Sequence, residues 1–351
     1  MSDEVVAVIL MFGITAYALF GGADFGAGFW DLIAGGAERG ARPRAVIAHS
    51  IGPVWEANHV WLIFCLVVLW TGFPEAFASI TLTLFVPLAL AALGIVLRGS
   101  SFAFRKEVSK TSSQRNFGVA FASSSVLVPF CMGAVAGAIA SGQVPAGGKA
   151  GDPWSSWINP TSILGGVLAV TVCAFLASVY LVWEARRVDD TNMVEYFRHR
   201  AIVASIVAGF VAFIGFFVLH DYANYVFNGL TSRALPLVII SALCGIAALV
   251  LLIRDAHRWA RLLAMGAVAT VVVSWGVAQW PYILPTSLKV SEAAAPSGTL
   301  NTLIVVFIVA AIVILPSLGL LYHLDQKGLV TADNVPATGS PSEGAPAATS
   351  S

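Results

Sequence analysis

The chain has 351 residues, 58% of them hydrophobic and only 11% charged, and its 19 basic and 19 acidic side chains balance to a net charge of zero. A chain this apolar cannot hide its surface in a water-soluble fold, so lipid must serve as its solvent. The zero balance also lacks the basic footprint that a nucleic-acid partner requires.

The first apolar run covers 5–33. It is too long for a signal-peptide core and has no evident small-residue cleavage site, so it reads as a retained helix. Eight more runs approach the ~20 residues a bilayer helix needs: 54–72, 77–97, 117–140, 160–183, 201–219, 235–253, 262–281 and 300–322. The expected fold is an all-α integral membrane protein of nine transmembrane helices. Spans one to four and five to eight would form two four-helix bundles, with the ninth peripheral. Self-similarity between the halves is too weak to claim a repeat. Residues 1–328 form the membrane domain, and 329–351, rich in Ala, Pro, Ser, Thr and Gly, read as a disordered cytoplasmic tail.

Charge in the loops sets the orientation. The loops after spans one, three, five and seven, with the C-terminal tail, carry 16 of the 19 Lys and Arg residues; only Lys149, Arg233 and Lys289 lie on the other side. Basic loops stay in the cytoplasm, which puts the N-terminus outside and the C-terminus inside. The cysteines Cys65, Cys131, Cys173 and Cys244 stand singly in apolar runs without a CxxC pair and read as packing residues.

Within the spans fall only three acids: Asp24, Asp31 and Glu56. Asp31 is close enough to the end of its span to reach the interface. Asp24 is about two turns deeper, where an ionisable group costs a few kcal/mol and must find a partner, a proton or a polar path. Around it, "FGGADFGAGFWD" (Phe20–Asp31) places Gly22 and Gly26 four apart, a small-residue surface that lets a helix approach closely. That surface is read as a subunit-packing element.

The second span opens with "PVWEANHVW" (Pro53–Trp61). His59 follows Glu56 at i+3 on nearly the same face, and Asn58 adds an amide beside it. Trp55 and Trp61 suit an interfacial belt or a partner subunit. Arg98 ends the third span on the same side. Asp24, Glu56, Asn58, His59 and Arg98 thus share one half of the membrane, the usual parts of a proton relay. The competing reading is a buried ion pair that only fixes packing. No two of the six histidines stand at i, i+4 in one helix and no CxxCH occurs, so haem or metal ligation by this chain is not expected.

Five motifs carry a resemblance: "GADFGAG" in the first span, "PVWEANHVWLI" in the second, "LRGSSFAFR" after the third, "WINPTSILGG" opening the fifth and "WPYILPTSL" after the eighth. Together and in this order they resemble cytochrome bd quinol oxidase subunit II. The resemblance implies a nine-helix subunit of a complex that oxidises quinol and reduces dioxygen to water, taking its protons from the cytoplasm without pumping. It implies two b-type haems and one d-type haem in a homologous subunit I, and none in this chain. Small single-helix accessory subunits, membrane lipids and quinone are the other implied partners. Asp24 and Arg98 match the family's first-span aspartate and third-span arginine, and Glu56 stands where some members have aspartate. The quinol-binding loop belongs to subunit I, so the quinone species is not legible. The alternative from a different class is a proton-coupled secondary transporter or channel using Asp24 and Glu56. The absence of paired broken spans in the sequence counts against it.

Overall fold

The computed structural model describes residues 1–36, 38–51, 55–107 and 111–326; the side chains of 51–58, 102–117, 257, 258 and several beyond 314 are outside the description. In chain order the helices are α1 (Ser2–Leu32), α2 (Ala41–Ile51), α3 (Trp55–Gly72), α4 (Pro74–Thr83), α5 (Phe85–Glu107), α6 (Thr111–Ala140), α7 (Pro160–Arg187), α8 (Thr191–Tyr222), α9 (Asn224–Thr231), α10 (Leu235–Ile253) and α11 (His257–Gln279). A short antiparallel hairpin follows, β1 (Tyr282–Leu284) with β2 (Leu288–Lys289), formed by the "WPYILPTSL" motif, and then α12 (Val290–Ala293) and α13 (Ser297–Gln326). The chain divides into two compact units, Met1–Ile304 and Val305–Ser351; the described part of the second is the remainder of α13. The expected boundary at 328 and the tail 329–351 lie outside the described residues.

Within the first unit the helices form two linked sets. Helices α1, α3, α5 and α6 pack together through α1–α3, α1–α6 and α5–α6 contacts, and α7, α8, α10 and α11 through α7–α8, α7–α11, α10–α11 and α8–α10. The groups join where α1 and α6 meet α7 and where α1 meets α11. Small residues set these spacings. Gly133 and Gly137 of α6 face the backbone of Gly165 and Thr161 of α7, with no room for side chains between them. Local signals start the helices. Asn159 accepts a hydrogen bond from the Ser162 N–H at 2.9 Å with Pro160 at the first helical position, and Asp190 accepts one from the Met193 N–H at 3.1 Å.

The count of nine spans is not reproduced. Among the described residues seven helices are long and apolar enough to cross a membrane, or eight if the bent α3–α4 pair is one span. The break in that pair turns the chain by 118°. Pro74 causes it: lacking an N–H, it cannot continue α3 and begins a new helix instead. The Ala295 N–H caps the open end of α3 by donating to the Gly72 carbonyl at 2.9 Å. The expected third span, 77–97, therefore runs through the joint at Leu84, taking its first part from α4 and the rest from α5. The apolar part of α5 (Phe85–Ser101) falls short of the length of the other spans. Helix α4 has a second use. Glu75, Ser79 and Thr83 recur on one face and accept the backbone N–H groups of Gly147, Gly148 and Gly151 at 2.9, 3.1 and 3.0 Å, strapping the α6–α7 loop across it.

Candidate proton-transfer site

Three helices converge on one buried cation. Arg98 of α5 is 2% exposed and reaches α1, where its Nη2 donates to Asp24 Oδ1 at 2.6 Å and to the Asp24 carbonyl at 3.2 Å. Its Nη1 donates to Ser125 Oγ of α6 at 2.6 Å, and that hydroxyl donates on to the Phe121 carbonyl at 2.7 Å. The guanidinium lies between two aromatic faces, 4.9 Å from the Phe25 ring centre and 4.5 Å from that of Phe121. The Asp24 side chain is 1% exposed. Isolated, either charge would be very costly at this depth; paired and hydrogen-bonded, each supplies what the other lost on leaving water.

His59 lies against this pair. It is on α3, its ring centre is 6.1 Å from that of Phe25, and it lies within electrostatic reach of Asp24. Trp55, Glu56 and Asn58 belong to the first turn of the same helix, but their side chains lie outside the described residues. Of the expected cluster, Asp24, His59 and Arg98 are brought together.

The remaining candidates face inward. A methyl group at Gly26 would meet the Cys173 carbonyl and lie 2.8 Å from Ala177 Cβ; one at Gly22 would lie 3.3 Å from Leu176 Cδ1. The helix these glycines admit is α7 of the same chain, not one from another subunit. Trp61 also packs within the chain, 5.6 Å edge-on to Phe12 and stacked 6.3 Å from Phe20, both on α1.

Asp31 stands near the C-terminal end of α1. It is 4% exposed and forms a 2.9 Å ion pair with Arg44 of α2, whose guanidinium also donates to the Gly35 and Gly36 carbonyls. Two residues escaped the sequence reading. Ser125 holds Arg98, and the signal was the Ser123–Ser125 run inside an apolar span. Glu184 is 5% exposed near the end of α7, 3.7 Å from Arg187. Its signal was the pair Trp183–Glu184, which echoes Trp30–Asp31 at the end of α1.

Among the described residues no three His, Cys, Asp or Glu side chains gather as a metal site would require.

The chain has recognisable relatives among known proteins. The profile of the family described as cytochrome bd terminal oxidase subunit II matches residues 2–325. The chain is similar to cytochrome bd ubiquinol oxidase subunit 2 of Bacillus subtilis (strain 168), at 26% identity over 84% of this chain and 86% of the relative. It is also similar to cytochrome bd-I ubiquinol oxidase subunit 2 of Escherichia coli (strain K12), at 23% identity over 86% of this chain and 88% of the relative. Its fold resembles a chain of the bd oxidase from Geobacillus thermodenitrificans with a TM-score of 0.73 and 23% identity, covering 92% of this chain and 98% of that one. These matches give no ground for the transporter or channel reading.

Proposed function

The chain belongs to the cytochrome bd terminal oxidase subunit II family, and from that membership we propose that it supports a haem-bearing subunit I and brings protons to it from the cytoplasm. The haems, two of b type and one of d type in subunit I, supply the electron transfer from quinol and the reduction of dioxygen to water. This chain's residues bind, hold and pass protons, and none of them drives a pump. Proton-motive force then arises because protons are taken from one side of the membrane only. The N-terminus lies outside, in keeping with the concentration of Arg and Lys in the loops assigned to the cytoplasm.

The route begins at Glu56, at the start of α3, passes Asn58 and His59 and reaches Asp24, which Arg98 holds in place. The observation that carries this reading is the buried Asp24–Arg98 pair, with His59 beside it. Small accessory subunits and quinone would be further partners of the complex.

The test uses the intact complex. Glu56→Gln and Asp24→Asn are each expected to lower oxygen-reduction turnover by about a hundredfold, the low end of what a proton-transfer group contributes. The haem spectrum should stay that of the wild type. Full turnover in both variants refutes the proton role. Loss of haem from both, with normal turnover per remaining haem, reduces the cluster to a packing device.

A further inference from the structure

Two polar atoms beside the ion pair have no hydrogen-bond partner among the described residues, and they are of opposite kinds. Arg98 occupies Oδ1 of Asp24, but Oδ2 is sealed from solvent and accepts nothing from the described residues. The Tyr17 hydroxyl is equally sealed and donates to nothing. Buried polar groups are almost always satisfied, and two such orphans in one small region call for a common explanation.

Their placement supplies it. Tyr17, Gly21 and Asp24 stand at i, i+4 and i+7 of α1, one above another on one face. The Tyr17 ring lies directly over Gly21, where an added Cβ would come within 2.9 Å of Cε2. The missing side chain lets the phenol run along the helix toward Asp24, with its ring centre 6.4 Å from that of Phe25. Asp24, Arg98 and the thiols of Cys65 and Cys173 all lie within electrostatic reach of the phenol. A carboxylate oxygen, a hydroxyl and weakly bonding thiols are the kinds of polar partner an internal water needs.

We infer that Tyr17 and Asp24 hold an ordered water between Oη and Oδ2, so that Tyr17 is a positioning residue for proton exchange at Asp24. The inference rests on the proton-path reading above and extends it one helical turn or more away from the cytoplasmic entry. Arg98 fixes one carboxylate oxygen and leaves the other to exchange its proton. That proton passes between Oδ2 and the water, and the reverse transfer restores both, so no other reactant is consumed. The Tyr17 hydroxyl donates to the water and keeps it aligned with Oδ2.

The experiment has two arms, both on the intact two-subunit complex. The first is a cryo-EM map of the wild type at a resolution that shows waters. Density bridging Tyr17 and Asp24 is expected, and its absence overturns the inference without need of any variant. The second compares Tyr17→Phe with the wild type. Turnover is expected to fall severalfold with an unchanged KM for quinol, unchanged haem content and a larger solvent deuterium isotope effect. A merely structural phenol would leave that isotope effect alone. Wild-type turnover and isotope effect in Tyr17→Phe overturn the inference. Asp24→Asn separates the two failures. If it is slow while Tyr17→Phe is normal, the water role falls and the proton path stands; if it too is normal, the proton path itself falls.

Discussion

Replacing Gly26 by alanine adds one methyl group at the crossing of α1 and α7. The structure indicates what it costs. The new Cβ would press on the Cys173 carbonyl, which is backbone and cannot rotate away, and would lie 2.8 Å from Ala177 Cβ. Apolar carbon contacts settle near 3.5–4.0 Å, so the helices must part by about 1 Å. Overpacking of this kind costs about 1–3 kcal/mol. The separation also pulls on the 2.8 Å hydrogen bond from Trp30 Nε1 to the Ala174 carbonyl, worth about 1 kcal/mol. The expected loss is about 2–4 kcal/mol. It should appear as a much shorter half-life of the purified complex on heating in detergent, followed by its haem bands. Adding Ala177→Gly removes the Cβ contact but not the carbonyl contact, so it should restore less than half of the loss. A Gly26→Ala complex as durable as the wild type would refute the reasoning, and full rescue by Ala177→Gly would show that side chains, not backbone, set the spacing.

Arg98→Gln leaves Asp24 buried without its countercharge and should cost about 3–5 kcal/mol, read as a fall in assembled, haem-loaded complex. Combining it with Asp24→Asn should recover part of that yield; a double variant worse than Arg98→Gln alone would show that the pair is not the source of the loss. Asp152, in the α6–α7 loop, accepts the backbone N–H groups of Ser155 and Trp154, which hold its carboxyl below the usual value of 3.8. Because its folded value is the lower one, the protection it gives is complete above 3.8 and is lost as pH falls through the depressed value. The protection of the Trp154 and Ser155 amides, taken as the exchange rate relative to the intrinsic rate at each pH, should be flat across neutral and mildly acid pH and fall only below that range; a fall between pH 5 and 7 would contradict it.

The helices most legible in the sequence were those bounded by strong signals. The run 235–253 coincides with α10, and Asn159–Pro160 marked the start of α7. What hydropathy could not show is direction. Summed along the chain, α3, α4 and α5 look like two ordinary spans, and only Pro74 hints at the turn between the first two. The site divides in the same way. Asp24 and Arg98 stood out because a charge in an apolar run is expensive, whereas Ser125 and Tyr17 are inexpensive in sequence and gain meaning from their neighbours. Gly22 and Gly26 were recognised as a docking surface, but a sequence cannot say whether the docking helix belongs to its own chain, and here it does. Glu184 was lost to a boundary drawn one residue short.

The Asp24–Arg98 pair also bears on how the chain enters the membrane. Its two members are 74 residues apart, and the acid is synthesised first. When α1 is inserted, its carboxylate has no counterion, so it waits either protonated or in contact with water at the insertion machinery. The arrival of α5 ends that wait, and α6 then closes over the guanidinium with Ser125 and Phe121. Insertion of the first half is thereby tied into one event, in which an early helix is not fully at home in lipid until a later one joins it. A chain truncated before α5 would present a lone carboxylate to the bilayer, the kind of flaw that membrane quality control can detect.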